Sequence, residues 1–337
     1  MTSVEFHTGF EGCNSTDDIV TFFNRTQSNH GVIGYSENGG YLGSRAMYLS
    51  GTIADGYYSI FRACTSAKTK SIGTHVSINN YVSDTPLLSF IGPNVYIRVP
   101  GGGDGISIYR DATKIADSSG TSIPLNTQTH IECKVFSDGS SGTVQVWING
   151  YLILNATGLN TGGQDITEIG FTGRKERITY FDDIFIADDW VGDSTTVLKL
   201  PNSDALVAFT PSAGTDNFAM VAETERDNDA TYVDAIVTSQ DLYGFEDIDL
   251  NDNVVAVSLI SVNRKTGAGK YPVLFHHVAK QDSTEYHKSD KALGVEYQHT
   301  LGSVHQDQYP TAPDGSAWTP AIWNAMQFGF KATLTSP

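Results

Sequence analysis

Cleavage of a glycosidic bond needs two carboxyl groups flanking it, roughly 5–10 Å apart. On a β-strand, residues two apart share a face, so closely spaced acids are where such chemistry would start. Glu246-Asp247-Ile248-Asp249 and Glu223-Thr224-Glu225-Arg226-Asp227 are the nearest strings. The second lies in a polar stretch running to Asp229 and reads as a solvated loop. Asp182-Asp183 stands inside the otherwise apolar strand signature Tyr180-Phe181-Asp182-Asp183-Ile184-Phe185-Ile186-Ala187. Adjacent strand residues face opposite sides, so one of these two acids turns inward. As chemistry, it would be a calcium ligand or an acceptor for a glycan. As structure, it would accept from buried backbone or Arg donors near a strand end, and this second reading is the favoured one.

Calcium takes oxygen-rich loops. Gly101-Gly102-Gly103-Asp104-Gly105 and Ser137-Asp138-Gly139-Ser140-Ser141-Gly142 offer carbonyls and one carboxylate each. Neither has the acid density of a tight site, and turn chemistry accounts for both. Asp104, Asp138, Asp182 and Asp183 are thus the calcium candidates, and no other cofactor is indicated. No Lys-Ser/Thr and no helical pattern follow residues 101–105, so they are not a phosphate loop. Cys13, Cys64 and Cys133 are odd in number and lack CxxC spacing, which points to free thiols rather than a disulfide or zinc framework. His276, His277, His287, His299 and His305 cluster late. His276 and His277 split across strand faces, and no nucleophile is matched to them, so no Ser-His-Asp centre is expected. Sugars stack their apolar faces on aromatic rings, which makes Trp147 and Tyr151 the glycan-binding candidates, with core packing as the favoured alternative.

These residues sit in a chain of 337 with a net charge of −17, its acid excess spread over both halves. Phosphate binding needs a basic face, so nucleic acid is not an expected partner. The N-terminus has neither a basic nor an apolar region of a signal peptide, and no run reaches membrane-spanning length. Synthesis in the cytoplasm without membrane insertion is expected. Short period-2 segments, among them Tyr57–Ala63, Thr74–Ile78, Leu87–Ile91, Asn94–Val99, Ile106–Tyr109 and Thr129–Val135, are punctuated by Gly, Asn and Asp turns. Val144–Leu154 reads as a hairpin about Asn149-Gly150, a pair suited to a type I′ turn. The pattern predicts an antiparallel sandwich over residues 1–190, a connector over 191–203 and a second β-rich domain over 204–337. In that domain Asn253–Val262 is apolar on both faces and is expected to be a central, doubly covered strand. Lys265–Lys270 reads as a hairpin loop. Thr319 caps a short helix with Pro320 at its first position, and a final strand follows over Gln327–Thr333.

The order of the first set of pieces resembles a concanavalin-like (laminin-G-like) jelly roll. It opens on Gly9-Phe10-Glu11, passes through Ile106–Tyr109 and Thr129–Val135, and closes on the Asn-Gly hairpin and the Phe181-Asp182-Asp183-Ile184 strand. The later series is Phe209–Phe218, Ala230-Thr231-Tyr232-Val233, Asp241-Leu242-Tyr243, Asp314–Pro320 and Phe328-Gly329-Phe330. It resembles the C-terminal region of tailed-bacteriophage virion structural proteins that begin with such a domain. The resemblance implies an all-β chain: an N-terminal concanavalin-like jelly-roll sandwich, then a smaller β-sandwich-like domain with one short helix near the C-terminus. It implies a virion protein of tail, fibre or surface decoration, acting by assembly with other virion proteins and as a homo-oligomer. Host-surface glycan attachment is compatible with it. A lectin-like receptor-binding protein is the alternative, and a glycan depolymerase the least supported. Jelly-roll glucanases carry Glu-x-Asp-x-x-Glu on one strand, a string this sequence lacks. No enzyme is expected.

Overall fold

Period-2 patterning becomes antiparallel strand in the computed structural model, which describes residues 3–10, 13, 15–51, 56–81, 85–118, 120, 123–174, 177–224, 230–263, 273–293 and 303–334. The chain divides into two compact units, Met1–Thr196 and Val197–Pro337. The division falls within the stretch read as a connector.

The first unit is a jelly-roll sandwich of two sheets. The larger runs Tyr151–Leu159, Gly142–Ile148, Thr129–Phe136, Thr69–Ile78, Thr179–Ala187, Ala46–Gly51, Gly31–Ser36, with Val4–Thr8 also pairing with Thr179–Ala187. The smaller runs Thr113–Asp117, Ser107–Arg110, Val95–Val99, Thr85–Ile91, Ile166–Arg174, Tyr57–Ala67, Arg25–Asn29. The last strand, Thr179–Ala187, lies beside Thr69–Ile78 near the centre of its sheet. Alternation decides the core: Ile72 and Val76, Ile131 and Val135, Val144 and Val146 are fully buried. Phe171 of one sheet meets Phe181 of the other edge-on, with ring centroids 5.4 Å apart. Asn149 (φ 48°) and Gly150 (φ 78°) both take positive φ, as the type I′ turn requires. The helix Thr16–Thr21 is among the elements the sequence reading did not pick out. It is too short to show a 3.6-residue period. Ser15 caps it by accepting from the Asp18 amide, and Ile19 is buried.

The second unit centres on a six-stranded antiparallel sheet, Pro201–Leu206, Ser239–Phe245, Met326–Leu334, Val273–Gln281, Thr284–His287, with Lys291–Leu293 also on Val273–Gln281. A two-stranded ribbon, Val257–Asn263 with Ser303–Tyr309, accompanies it. Asn253–Val262 is therefore not a central strand. Its apolar residues find cover in different ways. Val254 and Leu259 pack on the cluster of Trp318, Met326 and Phe328, while Val262 stays 37% exposed. The helix Pro320–Ala325 is capped by Thr319 Oγ1, which accepts from the Ile322 amide at 3.2 Å. The loop expected over 265–270 lies outside the described residues, as do His299 and the acid string from Glu225 to Asp229.

Asp241 organises the other end of this unit. Fully buried, it accepts from the amides of Ala208 (2.7 Å) and Phe209 (2.8 Å), from Asn217 Nδ2 (2.6 Å) and from the Tyr243 hydroxyl (2.9 Å). Phe209, Asn217, Asp241 and Tyr243 all belong to the series that carried the second resemblance. An unpartnered buried donor costs about 1–3 kcal/mol. Asp241→Ala should therefore destabilise the second unit by about 3–5 kcal/mol. Urea unfolding followed by tryptophan fluorescence checks this, and a loss below about 1 kcal/mol would mean the network carries little of the fold.

Candidate functional site

The larger sheet of the first unit has one apolar face against the smaller sheet and one polar face. Strand pairing places His130 beside His75, and His75 beside Asp182, in one row across three strands. Glu132, Ser71, Ser77, Gln145, Trp147 and Tyr180 share that face through the same registers. A central sheet face lined with ionisable groups must be solvated or covered.

Its middle is covered. Tyr41 lies flat on His75, with ring centroids 3.9 Å apart. The Tyr41 amide (2.9 Å) and Ser44 Oγ (2.5 Å) donate to Asp182 Oδ2, and the Asp183 amide donates to Oδ1 (2.8 Å). Glu132 accepts from Ser71 Oγ (2.6 Å) and from the amides of Val191 and Gly192 (2.9 Å each). Asp183 Oδ1 accepts from the Thr196 amide at 2.6 Å, while its Oδ2 lies 3.1 Å from His75 Nδ1. Asp193 Oδ1 lies 3.3 Å from His75 Nε2.

The expectation that only one of Asp182 and Asp183 turns inward does not hold. The register shifts between Asp182 and Phe185, and Asp183 adopts φ 48°. That bulge breaks the alternation, so both carboxylates reach the His75 side of the sheet. Burial, then the neighbouring Asp183 charge, raises the Asp182 carboxyl to about 7. Burial also lowers His130 to about 4, and neither of its ring nitrogens has a hydrogen-bond partner among the described residues. Burial raises Glu132 as well, against the three bonds that favour its charged form.

Beside the covered centre the same face stays open. A groove of about 720 Å³ is lined by Tyr35, Glu37, Asn38, Ser77, Asn126, Gln128 and Tyr180, with Gly39 and Gly40 at its wall. Tyr180 packs against Tyr48, with centroids 5.9 Å apart. Gly34 leaves room for this ring: an added Cβ at residue 34 would come within 2.0 Å of it, so Tyr48 would have to move. Gln128 donates its amide to the Gly39 carbonyl, and its buried Oε1 has no hydrogen-bond partner among the described residues. None of these groove residues was singled out in the sequence. They come from four separate segments, and no local pattern joins them.

The other candidates are dispersed. Trp147 is half-buried on the polar face, 6.1 Å from the Trp190 ring. Tyr151 is 78% exposed and pairs with Ile148, whose side chain turns to the core, so the two aromatics lie on opposite faces. Asp104 is exposed. Asp138 closes its own turn by accepting from the amides of Ser140 (2.8 Å) and Ser141 (2.7 Å), which take it down to about 2. Among the described residues no three His, Cys, Asp or Glu side chains are arranged to hold a metal ion.

No protein-family model matches the chain, and no curated protein matches it. Solved structures resemble it over about half its length. A cellulose-induced protein shares 16% identity, with 56% of this chain and all of that chain covered and a TM-score of 0.45. A protein of unknown function with a galectin-like fold from Bacillus subtilis shares 13%, covering 55% and 96%, TM-score 0.40. A conserved carbohydrate esterase from Shiga toxin-encoding bacteriophage phi24B shares 9%, covering 56% and 100%, TM-score 0.39.

The buried row has a pH signature. Asp182 is raised from 3.8 to about 7, so between these values the folded chain holds a proton the unfolded chain has lost. Its contribution to stability therefore falls as pH rises through this window. His130 is lowered from 6.5 to about 4, so there the unfolded chain holds the extra proton and stability rises with pH. The two trends oppose each other. Relative to the parent, Asp182→Asn should gain stability from about pH 4 to 7 and His130→Gln should lose it. Thermal unfolding by circular dichroism across this range checks both signs, and three parallel curves would refute the assignment.

Proposed function

We propose that the first unit is a glycan-binding module that works without turnover. The observation that carries this reading is the open groove on the polar sheet face. It offers the ring of Tyr180 with amide and hydroxyl groups from Asn38, Asn126, Gln128 and Ser77. Aromatic faces take the apolar side of a sugar ring, and amides and hydroxyls pair with its hydroxyl groups. With a net charge of −17, a neutral glycan is favoured over an acidic one.

The setting we propose is the particle of a tailed bacteriophage, with the chain as a homo-oligomeric tail, fibre or decoration component that attaches to host-surface glycan. Support comes from the sequence series over Phe209–Phe218, Asp241–Tyr243 and Asp314–Phe330. The second unit then serves assembly with other virion proteins. Binding without turnover in the first unit rests on the missing Glu-x-Asp-x-x-Glu string.

Labelled protein should bind host cells and extracted surface polysaccharide saturably. Tyr180→Ala and Gln128→Ala should each weaken binding about tenfold, equivalent to ~1.4 kcal/mol. Tyr151→Ala, on the opposite face from Trp147, should change it less than twofold. Unaltered binding by the groove variants, with their thermal midpoints preserved, would place the glycan elsewhere.

A further inference from the structure

The second unit holds a constellation the first does not need. On the strand Val257–Asn263, alternation sets Val257, Leu259 and Ser261 on one face. Their partners across the ribbon are Tyr309, Asp307 and His305. From the six-stranded sheet, Phe275, His277 and Ala279 share a face, and Ala279 packs in one cluster with Val257 and Tyr309. His277 thus meets the ribbon from the sheet.

The contact geometry is specific. Ser261 Oγ lies 2.6 Å from His277 Nε2, and His277 Nδ1 lies 2.7 Å from Asp307 Oδ2. Lys291 Nζ donates to the same Asp307 oxygen at 2.8 Å, and Asn263 Nδ2 donates to Ser261 Oγ at 2.6 Å. His277 is fully buried, whereas Ser261 keeps partial exposure. The bonds run in one direction. Asn263 donates to Ser261, the Ser261 hydroxyl to Nε2, and Nδ1–H to the carboxylate. This is the tautomer a general base requires.

We propose that Ser261 and His277, with Asp307 as the positioning carboxylate, form a second site that hydrolyses carboxylic esters by acyl transfer. Burial lowers His277, which leaves Nε2 free to accept a proton near neutrality. Burial alone would raise the Asp307 carboxyl, but the bonds from His277 and Lys291 take it down to about 2, so it stays charged beside the ring. In the first step the Ser261 O–H bond breaks, its proton passes to Nε2, and Oγ bonds to the acyl carbon. The carbon–alkoxy bond then breaks, and the leaving oxygen takes the proton from Nε2 and departs as the alcohol. Water next attacks the acyl carbon and gives its proton to Nε2. The Oγ–carbon bond breaks, Oγ recovers the proton, and the carboxylic acid leaves. Asn263 Nδ2 donates to Ser261 Oγ and so orients the nucleophile. Esters are the acyl class proposed, because an alkoxide leaves the acyl carbon more readily than an amine does.

The sequence reading found no nucleophile matched to these histidines. The three residues lie 16 and 30 positions apart, and no local motif joins them. His276, on the other strand face, makes a separate chain with His287 Nδ1 (2.9 Å) and Asp290 Oδ1 (2.7 Å).

The test treats the full chain with a fluorophosphonate and maps the adduct by mass spectrometry, alongside p-nitrophenyl acetate hydrolysis. One adduct is expected, on Ser261, with turnover of the ester. Ser261→Ala should lose both while keeping its circular dichroism spectrum. Asp307→Asn should lower kcat by about 100-fold or more with KM little changed, because the carboxylate acts on the ring and not on the substrate. A folded protein with no adduct, an adduct on another serine, or hydrolysis that survives Ser261→Ala would each overturn the proposal. In those cases Ser261, His277 and Asp307 are a structural hydrogen-bonded chain.

Discussion

A carboxylate taken out of water must be met by donors, and in this protein that requirement decides where the chain goes between strands. Glu132, Asp182 and Asp183 stand on the polar face of the larger sheet, where the neighbouring strand meets only some of their oxygens, through Ser71 and His75. Segments from outside the sheet supply further donors: Tyr41 and Ser44 on one side, Val191, Gly192 and Thr196 on the other. Covering the acids seals the middle of the face, and the turn that does so also walls the groove at Gly39 and Gly40. In the second unit Asp241 collects two amides, an amide side chain and a phenol in the same manner. Each unit is thus held by apolar packing between layers and by a few buried acids that fasten its loops.

Much of this architecture was legible in the chain. Period-2 alternation separated core from polar face in Thr129–Phe136 and Gly142–Ile148. Asn149-Gly150 gave the turn, and Thr319-Pro320 gave the helix start. Where alternation was trusted too far, it failed for a physical reason. A bulge at Asp183 cancels the two-faced rule, and Asn253–Val262 is apolar on both sides without being central. The groove and the Ser261–His277–Asp307 contacts were not legible at all. Both depend on residues from separate strands that only tertiary pairing brings together, and the polar letters involved are common ones.

The two units also differ in how they treat histidine. In the first, His75 and His130 are packed among acids and aromatic rings beneath covering segments. In the second, His276 and His277 sit on opposite sides of one strand and enter two separate bonded chains. One strand thereby serves two polar environments, and one position of register shift would exchange them.

The residues past the last jelly-roll strand bear on modularity. Val191, Gly192 and Thr196 belong to no strand, yet their amides satisfy Glu132 and Asp183. A jelly roll severed just after Trp190 would leave a buried carboxylate facing empty space, although every strand of its two sheets was intact. One ending at Thr196 would take its own plug along. The unit that could be transplanted, shuffled between genes or released by a protease as a folded piece is therefore the sandwich together with its tail.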